Sequence, residues 1–274
     1  MKAVERRLKS LFAERSPIAT LAVVAGLLLN ISGTPAGNQL DQIQERGSLI
    51  VLTRNGASSY YTGPDGPTGF EYDLARRFAK FIGVELELKL VGEVGTLIPQ
   101  LRAGNGDLIA AGLAITPKRQ TQIRFGPVYQ EAVPLVVYRR GAPRPRNIGD
   151  LTDGKLAVLA GSSYIRRLRG ARELYPELDW QEVTNVGIEA LLEDVDQGEI
   201  DYTVIDSTAF ALNRPFYPGV VKAFDLGVPD RIAWGFRAGD DDTLVQQARV
   251  FFHYLEITGE LAAIRSRHYE HFEG

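Results

Sequence analysis

The feature that most constrains this chain is an alternation of strand and helix patterns that occurs twice along its 274 residues. In the first block, short apolar runs typical of buried strands alternate with helical spacing of apolar residues, as at Leu74, Phe78 and Ile82. A β-α-β-α-β order of this kind predicts a parallel sheet with right-handed crossovers. The pattern restarts after the irregular segment 140–146, so we expect a second α/β lobe.

Two extended segments, near 134–140 and 228–236, connect the two blocks. Paired crossings predict a clamshell of two α/β lobes joined by a two-strand hinge, with a ligand between the lobes. Two rigid domains with a fixed interface are the alternative. The predicted ranges are 40–137 for the first part of lobe 1, 138–230 for lobe 2 and 231–272 for the completion of lobe 1.

The first 36 residues are not expected to belong to this fold. Five basic residues between positions 2 and 15 precede an uncharged apolar run at 18–31, and small residues follow it. This is the layout of a secretory signal peptide, and an uncleaved N-terminal membrane anchor is the alternative. Either one would place the rest of the chain outside the cytoplasm, and we expect the periplasm.

Composition narrows the classes of function. The formal net charge of −3 argues against a nucleic-acid partner, which would need a basic face. The chain has no cysteine, and its three histidines all lie near the C-terminus. We therefore predict no metal site and no cofactor.

The most informative single stretch is 107–129, which begins as an apolar run typical of a buried strand. Gly112 and Ala114 should leave the backbone uncovered where that strand ends. Thr116 is a predicted helix cap, Pro117 suits the first helical position, and Arg119 follows in the first turn. A guanidinium beside bare amide groups predicts a carboxylate pocket, although a surface arginine that is solvated or paired with a neighbouring acid is the ordinary alternative.

Three motifs resemble the bacterial extracellular solute-binding proteins, family 3. They are T-P-K-R at 116–119, G-F-E-Y-D-L at 69–74 and F-G-P-V-Y at 125–129. The resemblance implies a periplasmic-binding-protein-like clamshell in which Arg119 binds the α-carboxylate of a ligand.

The same resemblance implies further site residues. Ser162 and Ser163, which follow Gly161, would supply N–H groups and a hydroxyl, and Asp206 would bind an ammonium group. Tyr60 and Tyr61 would place a ring over the ligand. Each has an ordinary alternative, because serine and aspartate often cap helices and aromatic residues usually pack in a core. The sequence departs from the family pattern at Ala114, where a hydroxyl residue is common, and this favours a bulkier ligand than a single amino acid.

Four segments resemble, more narrowly, the solute-binding-like module of the membrane-bound lytic murein transglycosylases F. They are L-D-Q-I-Q-E-R-G-S-L-I-V, G-F-E-Y-D-L-A-R-R-F-A, A-A-G-L-A-I-T and I-D-Y-T-V-I-D-S. This resemblance covers roughly residues 40–272. It implies a non-catalytic module that binds an amino acid, a small peptide or a cell-wall muropeptide.

The sequence is also compatible with other functions. The chain could be a truncated or partial transglycosylase that lacks its lytic domain. Besides the small-molecule ligand, the expected partner of the module is a transglycosylase domain or a membrane protein. Alternatively the cleft itself could be catalytic, as in cyclohexadienyl dehydratases of this fold, with Glu71 and Asp206 as the nearby acids. A sensor or structural role with a vestigial cleft is the third possibility.

Overall fold

The computed structural model describes residues 37–269. The predicted signal peptide or membrane anchor at 1–36 lies outside the described residues. Within 37–269, no helix is both long enough and apolar enough to cross a membrane.

Nine α-helices and twelve strands make up the described part of the chain. The helices are α1 (Gln39–Arg46), α2 (Phe70–Phe81), α3 (Leu97–Arg102), α4 (Pro117–Gln120), α5 (Tyr164–Ala171), α6 (Ile188–Gln197), α7 (Ser207–Asn213), α8 (Thr243–Ile257) and α9 (Glu260–Tyr269). The strands are β1 (Ser48–Thr53), β2 (Tyr61–Gly63), β3 (Gly66–Thr68), β4 (Glu85–Leu90), β5 (Leu108–Ile109), β6 (Ile123–Ala132), β7 (Pro134–Arg139), β8 (Leu156–Leu159), β9 (Gln181–Val183), β10 (Tyr202–Asp206), β11 (Val220–Asp225) and β12 (Asp230–Arg237).

Lobe 1 is built on a five-stranded sheet in the order β4-β1-β5-β12-β6. The neighbours β4, β1 and β5 run parallel, which confirms the predicted parallel pairing, while β12 runs antiparallel to both β5 and β6. The residues predicted to face inward, Leu74 and Phe78 of α2 and Ile82 directly after it, are buried in the main core of this lobe. Aromatic side chains of α8 close the same core, with Phe252 against the ring of Trp234 at 4.8 Å between centroids.

Lobe 2 contains the second five-stranded sheet, in the order β11-β7-β10-β8-β9. Its β9, β8 and β10 run parallel, and β7 pairs antiparallel with β10 and β11. The fold is therefore the predicted α/β clamshell. Each lobe combines three parallel strands with antiparallel pairings, which involve β12 and β6 in lobe 1 and β7 and β11 in lobe 2.

The two crossings lie side by side. Ala132 pairs with Asp230 at the edge of the first sheet, and Leu135 pairs with Asp225 at the edge of the second. The chain changes sheets at Val133, so β7 belongs to the second sheet and the predicted boundary at residue 137 falls inside that strand. The second predicted boundary, at 230, coincides with the start of β12.

Three elements differ from the sequence-based expectation. The long strand β6 and the strand β11 were not predicted, and the loop 55–68 contains the hairpin β2–β3. In β6, Gly126 and Pro127 break the usual strand signal. The structure nevertheless needs a glycine at 126, because an added Cβ would lie 2.9 Å from the Phe236 ring.

Candidate functional site

The carboxyl ends of strands from both lobes meet at a cleft that encloses a cavity of about 120 Å³. Lobe 1 contributes the segments that follow β1 and β5, and lobe 2 contributes those that follow β8 and β10. Ligands of open α/β sheets bind at this edge. Of the predicted site residues, six line the cavity, namely Gly112, Ala114, Arg119, Ser162, Ser163 and Asp206.

Arg119 reaches the cavity from the short helix α4. Thr116 caps this helix as predicted, because its Oγ1 accepts from the N–H of Arg119 at 3.2 Å. The guanidinium donates from Nη1 to the Ala114 carbonyl at 2.8 Å and from Nη2 to the Gly161 carbonyl at 3.1 Å. Burial lowers the pKa of Arg119 to about 10, so the side chain stays charged at neutral pH.

Glu71 lies behind the lobe 1 wall of the cleft and is buried. Its Oε1 accepts from the Gly112 N–H at 2.8 Å and from the Tyr129 hydroxyl, and its Oε2 accepts from Trp234 Nε1 at 2.8 Å. Burial raises the pKa of Glu71, and these three hydrogen bonds oppose that shift.

The Glu71 network corrects one expectation. The amide of Gly112 is not an uncovered donor, because the buried carboxylate of Glu71 takes its hydrogen bond. Gly112 has a φ of +61° and lines the cavity through its backbone. Its contribution is therefore the close approach that a residue without a side chain allows.

The turn Gly161-Ser162-Ser163 forms the lobe 2 wall. Ser163 precedes α5 but its side chain makes no cap hydrogen bond, and its Oγ donates to Asp230 Oδ2 at 3.1 Å. Ser162 Oγ is buried and has no hydrogen-bond partner among the described residues. A buried hydroxyl without a partner is costly, so this oxygen is well suited to a ligand.

Asp206 ends β10 and caps α7. Its Oδ1 accepts from Thr208 N at 3.0 Å, from Thr208 Oγ1 at 2.5 Å and from Ala209 N at 2.8 Å. The capping alternative is therefore correct for this oxygen. All three bonds use Oδ1, so the cap does not occupy Oδ2, and the side chain also lines the cavity.

The two tyrosines do not join this group. Tyr60 packs against Tyr72 of α2, with 5.6 Å between ring centroids, and lies outside the residues that line the cavity. Tyr61 is 40% exposed and lines an outer groove beside the cleft. The structure thus places neither ring over the cavity. The hairpin β2–β3 turns the Tyr60 side chain towards α2, and sequence reasoning had no signal for this.

Four further ionisable residues of the cavity were missed: Arg54, Tyr164, Glu189 and Asp230. Asp230 is buried and forms an ion pair with Arg167 at 2.5 Å. Burial raises the pKa of the Tyr164 phenol, and the charges of Asp206 and Asp230 add to that shift. The position of Arg54 directly after β1, and that of Tyr164 directly after the serine turn, are the signals that could have found them.

The lobes touch across the cleft. Besides the bond from Arg119 to Gly161, the Nη2 of Arg54 donates to the Val186 carbonyl at 3.4 Å. A Cβ added to Gly161 would lie 2.6 Å from the Cα of Gly95. The structure is therefore a closed form in which the two backbones meet.

The cavity brings positive and negative side chains of different lobes together in a small volume. Arg54 and Arg119 come from lobe 1, Asp206 and Glu189 from lobe 2, and Asp230 from the crossing. In the part of the chain that the structure describes, no group of histidine, aspartate and glutamate residues could hold a metal ion. This arrangement can bind a small molecule that carries both signs of charge.

A family model described as bacterial extracellular solute-binding proteins, family 3, matches residues 49–271. The chain belongs to the bacterial extracellular solute-binding proteins, family 3. It therefore contains a solute-binding module, as the motifs around Arg119 and Glu71 indicated.

Curated relatives of this family 3 chain are named membrane-bound lytic murein transglycosylase F. The protein from Saccharophagus degradans is 38% identical over 232 residues, which are 85% of this chain and 46% of that protein. The protein from Ectopseudomonas mendocina is 37% identical over 265 residues, which are 95% of this chain and 54% of that protein. The chain thus spans about half the length of the curated relatives it matches.

Solved structures confirm the family 3 fold. The ancestral amino acid-binding protein AncCDT-1, a precursor of cyclohexadienyl dehydratase, superposes with a TM-score of 0.74 at 25% identity, over 84% of this chain and 99% of that one. An ancestral arginine-binding protein bound to arginine gives a TM-score of 0.73 at 24% identity, again over 84% and 99% of the two chains.

Proposed function

We propose that this chain is a periplasmic, non-catalytic solute-binding module that holds an amino acid, a small peptide or a cell-wall muropeptide between its lobes. The observation that carries the proposal is that Arg119 of lobe 1 and Asp206 of lobe 2 line the same cavity. Arg119 would bind the carboxylate of the ligand, and Asp206 Oδ2 would bind the ammonium group. The buried hydroxyl of Ser162 would complete the carboxylate site.

The size of the cavity supports a small ligand. A volume of about 120 Å³ holds about ten water-sized groups, taking roughly 10–15 Å³ for each. This matches a single amino-acid unit. A peptide or muropeptide would place one such unit in the cavity and extend into the outer groove, which has about 690 Å³.

The names of the curated relatives support a ligand from the cell wall. Their names refer to murein, which contains short peptides, and this chain resembles about half of each relative. We infer that the module senses a murein fragment and that a transglycosylase domain or a membrane protein is its partner. The family description as extracellular supports the periplasm.

Catalysis in the cleft is the alternative, and the acids named for it are already engaged. Glu71 accepts three hydrogen bonds behind the wall and does not line the cavity, and Asp206 caps a helix. Cleavage of glycan strands by carboxylic acids needs such a group beside the scissile bond. We therefore expect the purified chain to release no product from peptidoglycan sacculi. Anhydro-muropeptides above a heat-killed control would contradict the proposal.

Thermal unfolding with a panel of amino acids, dipeptides and soluble muropeptides tests the binding function. A ligand at 100 times its Kd stabilises the folded state by about 2.7 kcal/mol, which raises the Tm of a chain of this size by about 5–11 °C. We expect such a shift for wild type with at least one class and a shift of at most about 2 °C for Arg119→Ala. A shift of equal size in the variant would contradict the role of Arg119.

A further inference from the structure

The guanidinium of Arg54 makes few polar contacts in the cleft. It follows β1 directly and lines the cavity. Its Nε is buried without a hydrogen-bond partner, and its Nη2 makes one long bond of 3.4 Å to the Val186 carbonyl. Burial lowers the pKa of Arg54, which reflects the loss of water around the charge. A partly buried cation of this kind carries a desolvation cost that an anion paired with it would offset.

No carboxylate of the described residues lies within ion-pair distance of Arg54. The charge of Glu189 raises the pKa of Arg54 against the effect of burial, yet the two side chains form no ion pair. Asp230 is already paired with Arg167, and Asp206 Oδ1 is engaged in the α7 cap. The guanidinium of Arg54 therefore has no carboxylate of the described residues bound to it.

Arg54 also lies at a junction. It lines both the closed cavity and the outer groove, together with Asn55, Gly56 and Glu189. The groove continues past Tyr61 and Phe216, which are 40% and 74% exposed. Any part of a ligand that leaves the cavity on this side must pass the guanidinium.

We propose that Arg54 is a second anion-binding residue and that the ligand carries a second acidic group besides the carboxylate at Arg119. This inference rests on the proposed binding function. The ligand class is then an acidic amino acid, or a peptide with an acidic side chain, rather than a neutral or basic one. The bidentate geometry of a guanidinium suits a carboxylate.

A latch between the lobes is the competing explanation. In that case Arg54 would attract Glu189 across the cleft and favour closure for every ligand. The two explanations make opposite predictions for Glu189→Gln. If Arg54 binds an anion of the ligand, removing the charge of Glu189 leaves the affinity for acidic ligands unchanged or raises it. If the pair is a latch, the variant loses as much affinity as Arg54→Gln does.

Titration calorimetry with matched probes distinguishes these cases. The probes are glutamate against glutamine and alanyl-glutamate against alanyl-glutamine, each pair differing in one acidic group. We expect wild type to prefer the acidic member of at least one pair by about ten- to hundredfold. Arg54→Gln should abolish the preference, Arg54→Lys should retain part of it, and the exposed control Arg102→Gln should leave it unchanged.

Three results would overturn the inference. Wild type that binds the neutral probes as well as the acidic ones refutes it and leaves the binding function standing. Equal losses for both members of a pair in Arg54→Gln and Glu189→Gln would establish the latch instead. No heat of binding with any of the four probes would refute the inference together with the proposed recognition of small zwitterions.

Discussion

Replacing Gly161 with alanine should prevent the two lobes from closing. The added Cβ would lie 2.6 Å from the Cα of Gly95 and 2.7 Å from its backbone nitrogen. Both are main-chain atoms of the opposite lobe, so no side-chain rotation relieves the contact. Only a movement of one lobe away from the other does.

The cost of this contact can be separated from the cost of the backbone conformation. Overpacking by one methyl group costs about 1–3 kcal/mol, which corresponds to about a five- to 150-fold loss of affinity if it acts on the closed form alone. The left-handed conformation of Gly161, with a φ of +74°, adds about 1–2 kcal/mol for alanine. We expect Gly161 to keep this φ in the open form, so the strain should lower the stability of folding and not the affinity.

Two control variants isolate these effects. Gly95→Ala places its Cβ 3.8 Å from the Cα of Gly161, an ordinary contact, so it should bind ligand normally. Gly141→Ala has a φ of +89° with open space around the new Cβ, so it should lose stability without losing affinity. Calorimetry measures the affinity, denaturant unfolding measures the stability, and small-angle scattering measures closure at saturating ligand.

Gly161→Ala should bind less tightly than both controls and should keep the larger radius of gyration when ligand is added. Wild-type affinity in this variant, with normal compaction, would refute the reasoning, because the lobes would then close without this backbone contact. A wild-type protein whose scattering does not change with ligand would refute the clamshell motion itself.

Three other substitutions test the site. Arg119→Ala should weaken ligands that carry a carboxylate by two or more decades, since removing one partner of a desolvated charge pair costs about 3–5 kcal/mol; calorimetry on the folded variant checks this. Asp206→Asn should weaken zwitterionic ligands far more than N-acylated ones, because asparagine still caps α7 but lacks the charge. Glu71→Gln should cost about 1–3 kcal/mol of stability, because its amide must face a donor. The free energy of unfolding of Glu71→Gln should also depend less on pH than that of wild type, as measured by urea unfolding across a pH series.

The sign of that pH effect follows from the buried carboxyl. The folded pKa of Glu71 is raised from the usual 4.5, so its contribution to stability is complete below the unfolded pKa and is lost as the pH rises through the folded pKa. Wild type should therefore lose stability relative to Glu71→Gln over that range. A gain in stability with rising pH would contradict the raised pKa of Glu71.

Equal losses of affinity for zwitterionic and N-acylated ligands in Asp206→Asn would show that Asp206 acts only as the cap of α7.

Local signals were sufficient for most of the fold. The spacing of Leu74, Phe78 and Ile82 predicted the buried face of α2, and Gly47 ends α1 with a φ of +76° as expected of a C-terminal glycine. The helix cap at Thr116 was predicted correctly because its hydrogen bond to Arg119 lies within four residues of sequence.

The parts that the sequence did not reveal depend on contacts between distant segments. The strand β6 contains Gly126 because Phe236, more than a hundred residues later, packs there. Arg54 and Asp230 become cleft residues only when strand ends of both lobes converge. Tyr60 was predicted to lie in the site because its loop was predicted to lie there. The ring instead packs against Tyr72 of α2. Such positions need the three-dimensional structure.

A crystal structure of the complex with the first ligand that raises the Tm is the most direct measurement of the proposed recognition. It should show the ligand between the lobes, with a carboxylate within hydrogen-bond distance of the Arg119 guanidinium and an ammonium group at Asp206 Oδ2. A ligand bound only in the outer groove, or in the cleft without contact to either residue, would contradict it.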